Sequence, residues 1–232
     1  MVALLVLTTI LIFLTIDYIA QRAHAPEAEA VASAPRSRPA ADLTRVPGDT
    51  WLAPGHVWAR VEPYGTVRLG TDRLAGTLLG AVDRAAVVRQ GSEVHVGDPI
   101  ATVAHGARTI TLRSPVDGVV TAVNEELASD PNAVLLDPFG NGWMARIRPV
   151  ALGPAMKRMF VAEDAGTFLR DELRKLRELL TAAPALQPAM AATLPDGGLP
   201  ADGLAEHLDD RTWSAVAAGL YGAPAMPVEA RA

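Results

Sequence analysis

The stretch that most constrains this chain runs from Gly91 to Asn124: GSEVHVGDPIATVAHGARTITLRSPVDGVVTAVN. Apolar residues alternate with polar ones between closely spaced turns. Val94 and Val96 are followed by Ile100, Thr102 and Ala104, then Ile110 and Leu112, then Val116, Val119, Thr121 and Val123. A period of two specifies strands with one face buried. Gly91 and Gly97 punctuate the first half, and Pro115 and Gly118 the second. The result is two near-repeated units about a short hairpin, which predicts a small folded-over β-sandwich.

The pattern GxxVxxGDPIxxV, a hairpin, then SPVDGVVxxVN resembles the lipoyl/biotinyl hammerhead. The flanks narrow the resemblance. His56-Val57-Trp58-Ala59-Arg60-Val61 and Gly65-Thr66-Val67-Arg68-Leu69-Gly70 resemble the opening strands of the glycine cleavage system H-protein. Asn124-Glu125-Glu126-Leu127 and Asp137-Pro138-Phe139-Gly140-Asn141-Gly142-Trp143 resemble that family's closing segment. The resemblance covers roughly residues 46–149. It implies a mainly β chain built on a barrel-sandwich hybrid of the lipoyl-like hammerhead type.

The same resemblance implies a lysine in the hairpin, seven residues before the SP dipeptide, as the attachment point of a lipoyl group. That position is Ala107, flanked by His105, Gly106, Arg108 and Thr109. The only lysines are Lys157 and Lys175, both outside the hammerhead. Arg108 cannot replace the amine, because a guanidinium stays protonated and is not acylated as a lysine amine is. The expectation is a carrier's fold without its cofactor.

Val2 to Ala20 is almost unbroken apolar sequence, interrupted late by Asp17. As a helix it would span roughly 28 Å at about 1.5 Å per residue, close to the hydrocarbon thickness of a bilayer. Basic residues follow the run and none precedes it. The positive-inside rule then predicts a single-pass inner-membrane protein with its C-terminal bulk in the cytoplasm. Tyr18 is read as an interfacial anchor, and Asp17 as a headgroup-level or intersubunit contact. The organisation expected is a membrane anchor over 1–22, an Ala/Pro-rich linker over 23–46, the H-protein-like domain over 47–150, and a C-terminal arm over 151–232. Within the domain, a short helix is expected over 72–80 with Thr71 or Asp72 as its cap and Gly80 at its end. Strands are expected over 82–89 and 143–147, with Trp58 and Trp143 in the core.

Residues 156–180 repeat leucines at helical spacing with charges of both signs on the other faces. This is an amphipathic helix, packed either on the domain or on a partner. Residues 181–202 are dominated by Ala, Pro and Gly, and 204–220 form a second candidate helix interrupted at Asp209-Asp210. Such an arm is expected to need a partner to order it, with Phe160 and Trp213 as contact residues. Arg108, at the hairpin tip, is read as a solvated side chain or as a contact to an acidic groove.

The chain has no cysteine, which excludes disulfides and thiol chemistry. A net charge of −5 does not favour a nucleic-acid partner. The five histidines lack metal-site spacing, although His95 and His105 are candidates to meet across adjacent strands. No nucleophile elbow, P-loop or dinucleotide fingerprint is present. No enzyme activity, cofactor or metal is expected. The function expected is that of an accessory subunit stabilising a bioenergetic membrane complex, photosynthetic or respiratory. The alternatives are a periplasmic adaptor of a transport system and a regulatory docking module derived from a lipoyl carrier.

Overall fold

The computed structural model describes residues 43–181 and 202–222. The apolar N-terminal run, with Asp17 and Tyr18, lies outside them. Among the described residues no helix is long and apolar enough to cross a membrane.

Strands β1 (Trp51–Ala53), β2 (Val57–Val61), β3 (Val67–Thr71), β5 (Glu93–Val94), β8 (Gly118–Val123), β9 (Ala145–Pro149) and β10 (Phe160–Val161) form one sheet in the order β10-β1-β2-β3-β9-β8-β5. The second sheet is β4 (Arg84–Val87), β6 (Pro99–His105) and β7 (Arg108–Arg113), in the order β4-β6-β7. The alternation read from the sequence holds on β7, but on β6 and β8 its phase differs: Val103 and Val120 face inward while Thr102 is half-buried and Val119 exposed, beside register shifts at Pro99/Ala101 and Val120/Ala122. Ile100, Val103, Ile110 and Leu112 from the small sheet meet Val57, Ala59, Val67, Leu69, Val120 and Ile147 from the large one, all buried. Each of the valine, leucine and isoleucine side chains contributes roughly 1.5–3 kcal/mol by leaving water.

Helix α1 (Arg73–Leu79) crosses between the sheets. The Asp72 carboxylate caps it, accepting from the Leu74 N–H at 2.9 Å, and Gly80 ends it at φ 73°. Trp58 lies flat over Gly70, where an added Cβ would stand 2.5 Å from the ring. Its Nε1 donates to the Pro138 carbonyl at 3.0 Å, tying the opening strands to the closing segment. Asn124 fixes the same segment, donating to the Asn141 and Trp143 carbonyls at 2.8 Å each.

Trp143 departs from the core placement expected of it. It is half-buried, with the Arg146 guanidinium 4.5 Å from its ring centroid, and the last core strand begins only at Ala145. Two short elements carry too few residues to show a period. They are helix α2 (Ala133–Leu136) and strand β10, which pairs with β1.

After α3 (Leu152–Met156), the amphipathic helix α4 spans Glu163–Thr181. It packs on the chain's own domain and buries Ala165, Leu169, Leu173, Leu176 and Leu180. Phe160 stacks on Phe168 of α4 at 4.6 Å, so this expected partner contact is filled from within. The segment beyond residue 202 also folds back. A 3-10 turn over Leu204–His207 leads to α5 (Asp210–Tyr221), capped by Asp209, whose carboxylate accepts from the Thr212 N–H at 2.7 Å. Leu204, Leu208, Trp213, Val216, Leu220 and Tyr221 join the main core. The described part of the expected arm is therefore a layer of the domain.

Candidate functional site

The hairpin joining β6 to β7 is a two-residue turn, with His105 opposite Arg108 and Gly106 and Ala107 between them. Gly106 has φ 55°, the left-handed conformation that a tight hairpin needs at its first central residue. The turn is braced from below. The Gly106 N–H donates to Asp83 at 2.7 Å, and Arg84 donates to the Gly106 carbonyl at 2.6 Å. Ala107 stands exposed at the apex and offers only a methyl group. The position that the family resemblance reserves for an acylated amine has no nucleophile on this chain.

Arg108 is neither solvated nor pointed at an external groove. Its guanidinium is held by the residues that precede and begin α5. Nε donates to the Ala205 carbonyl at 3.0 Å, Nη2 to the Leu208 carbonyl, and Nη1 to Asp210 at 2.7 Å. Trp213, itself buried, has its ring centroid 6.0 Å from the same guanidinium. On the other side of the turn His105 Nε2 meets the Glu206 carboxylate at 2.7 Å. His105 does not meet His95, which lies beside Asp98 on another part of the chain. The fork geometry of Arg108 matches the outward carbonyls of a short helical turn in a way a single ammonium does not. Both flanks of Ala107 are thus taken by the chain's own C-terminal segment.

The opposite end of α5 makes a second junction that the sequence motifs did not reveal. His56, 0% exposed, sits at the β1–β2 turn with φ 64°. Its Nδ1 pairs with Asp72 at 2.7 Å, and its Nε2 lies 3.5 Å from Glu172 of α4. The imidazole is enclosed by Tyr221 of α5, with ring centroids 4.9 Å apart, and by Phe168 of α4 at 5.7 Å. Burial alone would push the imidazolium toward its neutral form. The Asp72 carboxylate, reinforced by Glu172, outweighs this and raises the pKa to about 9. Glu172 is raised by its own burial but held below the usual carboxylate range by His56 and then Lys175. Burial, with Asp72 and Glu172 nearby, pushes the Tyr221 phenol well above its ordinary value. Asp72 thereby serves two elements at once, one oxygen capping α1 and the other holding His56. A signal for this junction existed in the pairing of an N-cap aspartate with a histidine on the preceding hairpin, but no spacing rule joins them to Glu172.

The His56 cluster is not a catalytic triad. His56 and Asp72 are closed off from a substrate, and only Glu172 is partly exposed. The two carboxylates take opposite nitrogens of the ring, so the three do not converge on a point. Among the described residues no group of three or more His, Cys, Asp or Glu side chains is placed to hold a metal ion. Of the contact residues expected from the sequence, the fold brings Arg108 and Trp213 together and places Phe160 apart from them, against α4. Asp17 and Tyr18 fall outside the described residues.

Comparison with known proteins agrees with the geometry. The family described as Glycine cleavage H-protein matches residues 52–172. The glycine cleavage system H protein of Psychrobacter sp. (strain PRwf-1) is 35% identical over 107 residues, covering 46% of this chain and 85% of that protein. A probable glycine cleavage system H protein 2 of Saccharolobus solfataricus is 30% identical over 124 residues, covering 53% of this chain and 78% of that protein. A crystal structure of the H protein from Mycobacterium marinum matches with a TM-score of 0.48 and 26% identity, over 53% of this chain and 98% of that one. The chain belongs to the glycine cleavage H-protein family, with Ala107 at the apex of its hairpin.

Proposed function

We propose that this protein is a non-lipoylated member of its family that serves as a membrane-anchored structural subunit of a larger complex, rather than as a carrier. One observation carries the reading. Ala107 occupies the hairpin apex, and the chain's own residues 205–210 bind the side chains on either side of it. A swinging-arm carrier needs an amine at that apex and room for the arm to leave. Here the amine is absent and the flanks are occupied. The apolar run over residues 2–20 supplies the anchor in this reading, and the host is a bioenergetic membrane complex, photosynthetic or respiratory.

The alternatives fit the geometry less well. A periplasmic adaptor splits its lipoyl-like domain around a long helical hairpin, whereas two residues join the halves here. A docking module that used Arg108 would first have to break its contacts to Ala205, Leu208 and Asp210. The test is mass spectrometry and native electrophoresis of the full chain extracted from its own membranes in mild detergent. The expected result is an unmodified mass and migration within a larger assembly. A lipoyl adduct would restore the carrier role. Migration as a lone monomer would overturn the subunit role.

A further inference from the structure

The hairpin that carries Ala107 is gripped between two other parts of the chain. One is the start of β4, where Asp83 and Arg84 bind the Gly106 N–H and carbonyl. The other is the segment over residues 203–209, which lies against the hairpin as a strap. His105 stands between them, with Nδ1 3.8 Å from Asp83 and Nε2 2.7 Å from Glu206.

The strap is pinned at both ends. At its beginning the Gly203 N–H donates to the Thr77 carbonyl of α1 at 2.9 Å. At its finish Asp209 caps α5, whose last residue, Tyr221, closes on His56. Between these points Leu204, Ala205 and Leu208 are buried in the main core. A segment seated in this way cannot swing clear of the hairpin without exposing those side chains to water.

Little of the hairpin protrudes. Gly106, Ala107 and Thr109 are exposed, but the side chains of His105 and Arg108 are only 30% and 16% exposed. A small reagent can reach a group at position 107. An acyl-transfer enzyme must do more. It has to bring the nucleophile to an activated acyl group and keep water away, so it must enclose the side chain that it modifies. On a two-residue turn, enclosing one side chain means touching the residues on either side. Those are the residues that the strap covers.

We infer that the strap is a built-in guard, which shuts the hairpin to a protein that would grip it, independently of the missing amine. The carrier role is then lost twice over, and a lysine at position 107 does not bring it back. The guard also directs the chain's docking in a complex away from the hairpin. The inference rests on the non-lipoylated reading above and adds to it the part of the fold that keeps such enzymes out.

The test starts from Ala107→Lys in the full chain. A lipoate–protein ligase, given lipoate and ATP, supplies lipoyl adenylate. Transfer would join the amine nitrogen to the acyl carbon, break the bond to AMP and release one proton from the amine. Intact mass reads the product. N-hydroxysuccinimidyl acetate should acetylate the new amine as fast as the exposed Lys157. The ligase should act on it about a hundredfold more slowly than on a second variant, the scale of loss for a misplaced reacting group. In that variant Gly-Ser inserted on each side of position 107 lifts the same amine past the strap by roughly 7 Å, at about 3.3 Å per residue. Equal lipoylation of the two variants overturns the guard, and so does a lifted amine that the ligase still ignores. Slow acetylation would mean that the position itself is closed, and overturns a guard that acts on proteins alone. None of these outcomes touches the non-lipoylated reading, which a lipoyl adduct on the natural chain would overturn by itself.

Discussion

The two ends of α5 are fastened in opposite ways. At its start, Arg108 reaches from a half-open hairpin to backbone carbonyls and to Asp210, whose side chain is 98% exposed. At its finish, Tyr221 closes over a histidine that pairs with Asp72 and Glu172, largely out of water. An exposed charge pair gains little, because water solvates the separated ions almost as well. A buried charge is different, since losing its partner leaves an ion in a medium that cannot solvate it. The lesson is that the C-terminal layer is positioned by the hairpin but secured by the histidine.

The sharpest way to break this comparison is Asp72→Asn. Asparagine still caps α1, so the change removes the charge and spares the helix start. We expect a loss of about 3–5 kcal/mol, read from chemical denaturation. The same variant tests the pH dependence. Because His56 is raised to about 9 from an ordinary value of 6.5, its contribution is fully present below pH 6.5 and lost as pH rises through 9. The native protein should lose stability across that window, and Asp72→Asn should flatten the profile there. Glu172, lowered in the fold, acts in the opposite sense, and its contribution disappears as the solution becomes acidic.

Gly80→Val comes next. An added Cβ there would stand 2.5 Å from the Gly203 Cα, at a φ that valine avoids. We expect about 2–4 kcal/mol of destabilisation from strain and overpacking. Faster hydrogen exchange should be concentrated in 202–222, and spread through the whole sheet instead would mean that this layer cannot loosen separately. Arg108→Ala should cost about 1.5–3 kcal/mol, the range for hydrogen bonds to a charged group. Exchange should rise over 204–210 while the Tyr221 end stays protected, and Arg108→Lys should restore only part of the loss. The smallest effect expected is that of Glu206→Gln, between 0 and about 1 kcal/mol, because its contact with His105 is exposed. A loss above 2 kcal/mol would show that the outer fastening is as strong as the inner one.

The region from Gly91 to Asn124 was legible because its information is local. Period-two alternation and turn glycines act within a few residues, and they placed β6, the tight turn, β7 and β8 along the chain, although bulges in β6 and β8 moved Val103 and Val120 inward in place of Thr102 and Val119. The Asp72 cap and the Gly80 stop were legible for the same reason. The destiny of 204–221 was not. Its leucines and Trp213 announced a helix with an apolar face, but an apolar face reads the same whether its own domain or another protein will cover it. Arg108 shows the limit most clearly. In sequence it is an arginine in a turn, and its binding site is formed by carbonyls about a hundred residues away.

What the sequence determined by itself was the hammerhead, its short helix, and the loss of the acylatable amine at position 107, since alternation, capping and residue identity are properties of neighbours. What only the tertiary structure decided was that the C-terminal helices complete this domain, with Arg108 and His56 as their fastenings. Burial and ion pairing join residues far apart in the chain, and their energies depend on a dielectric environment that exists only once the layers have packed.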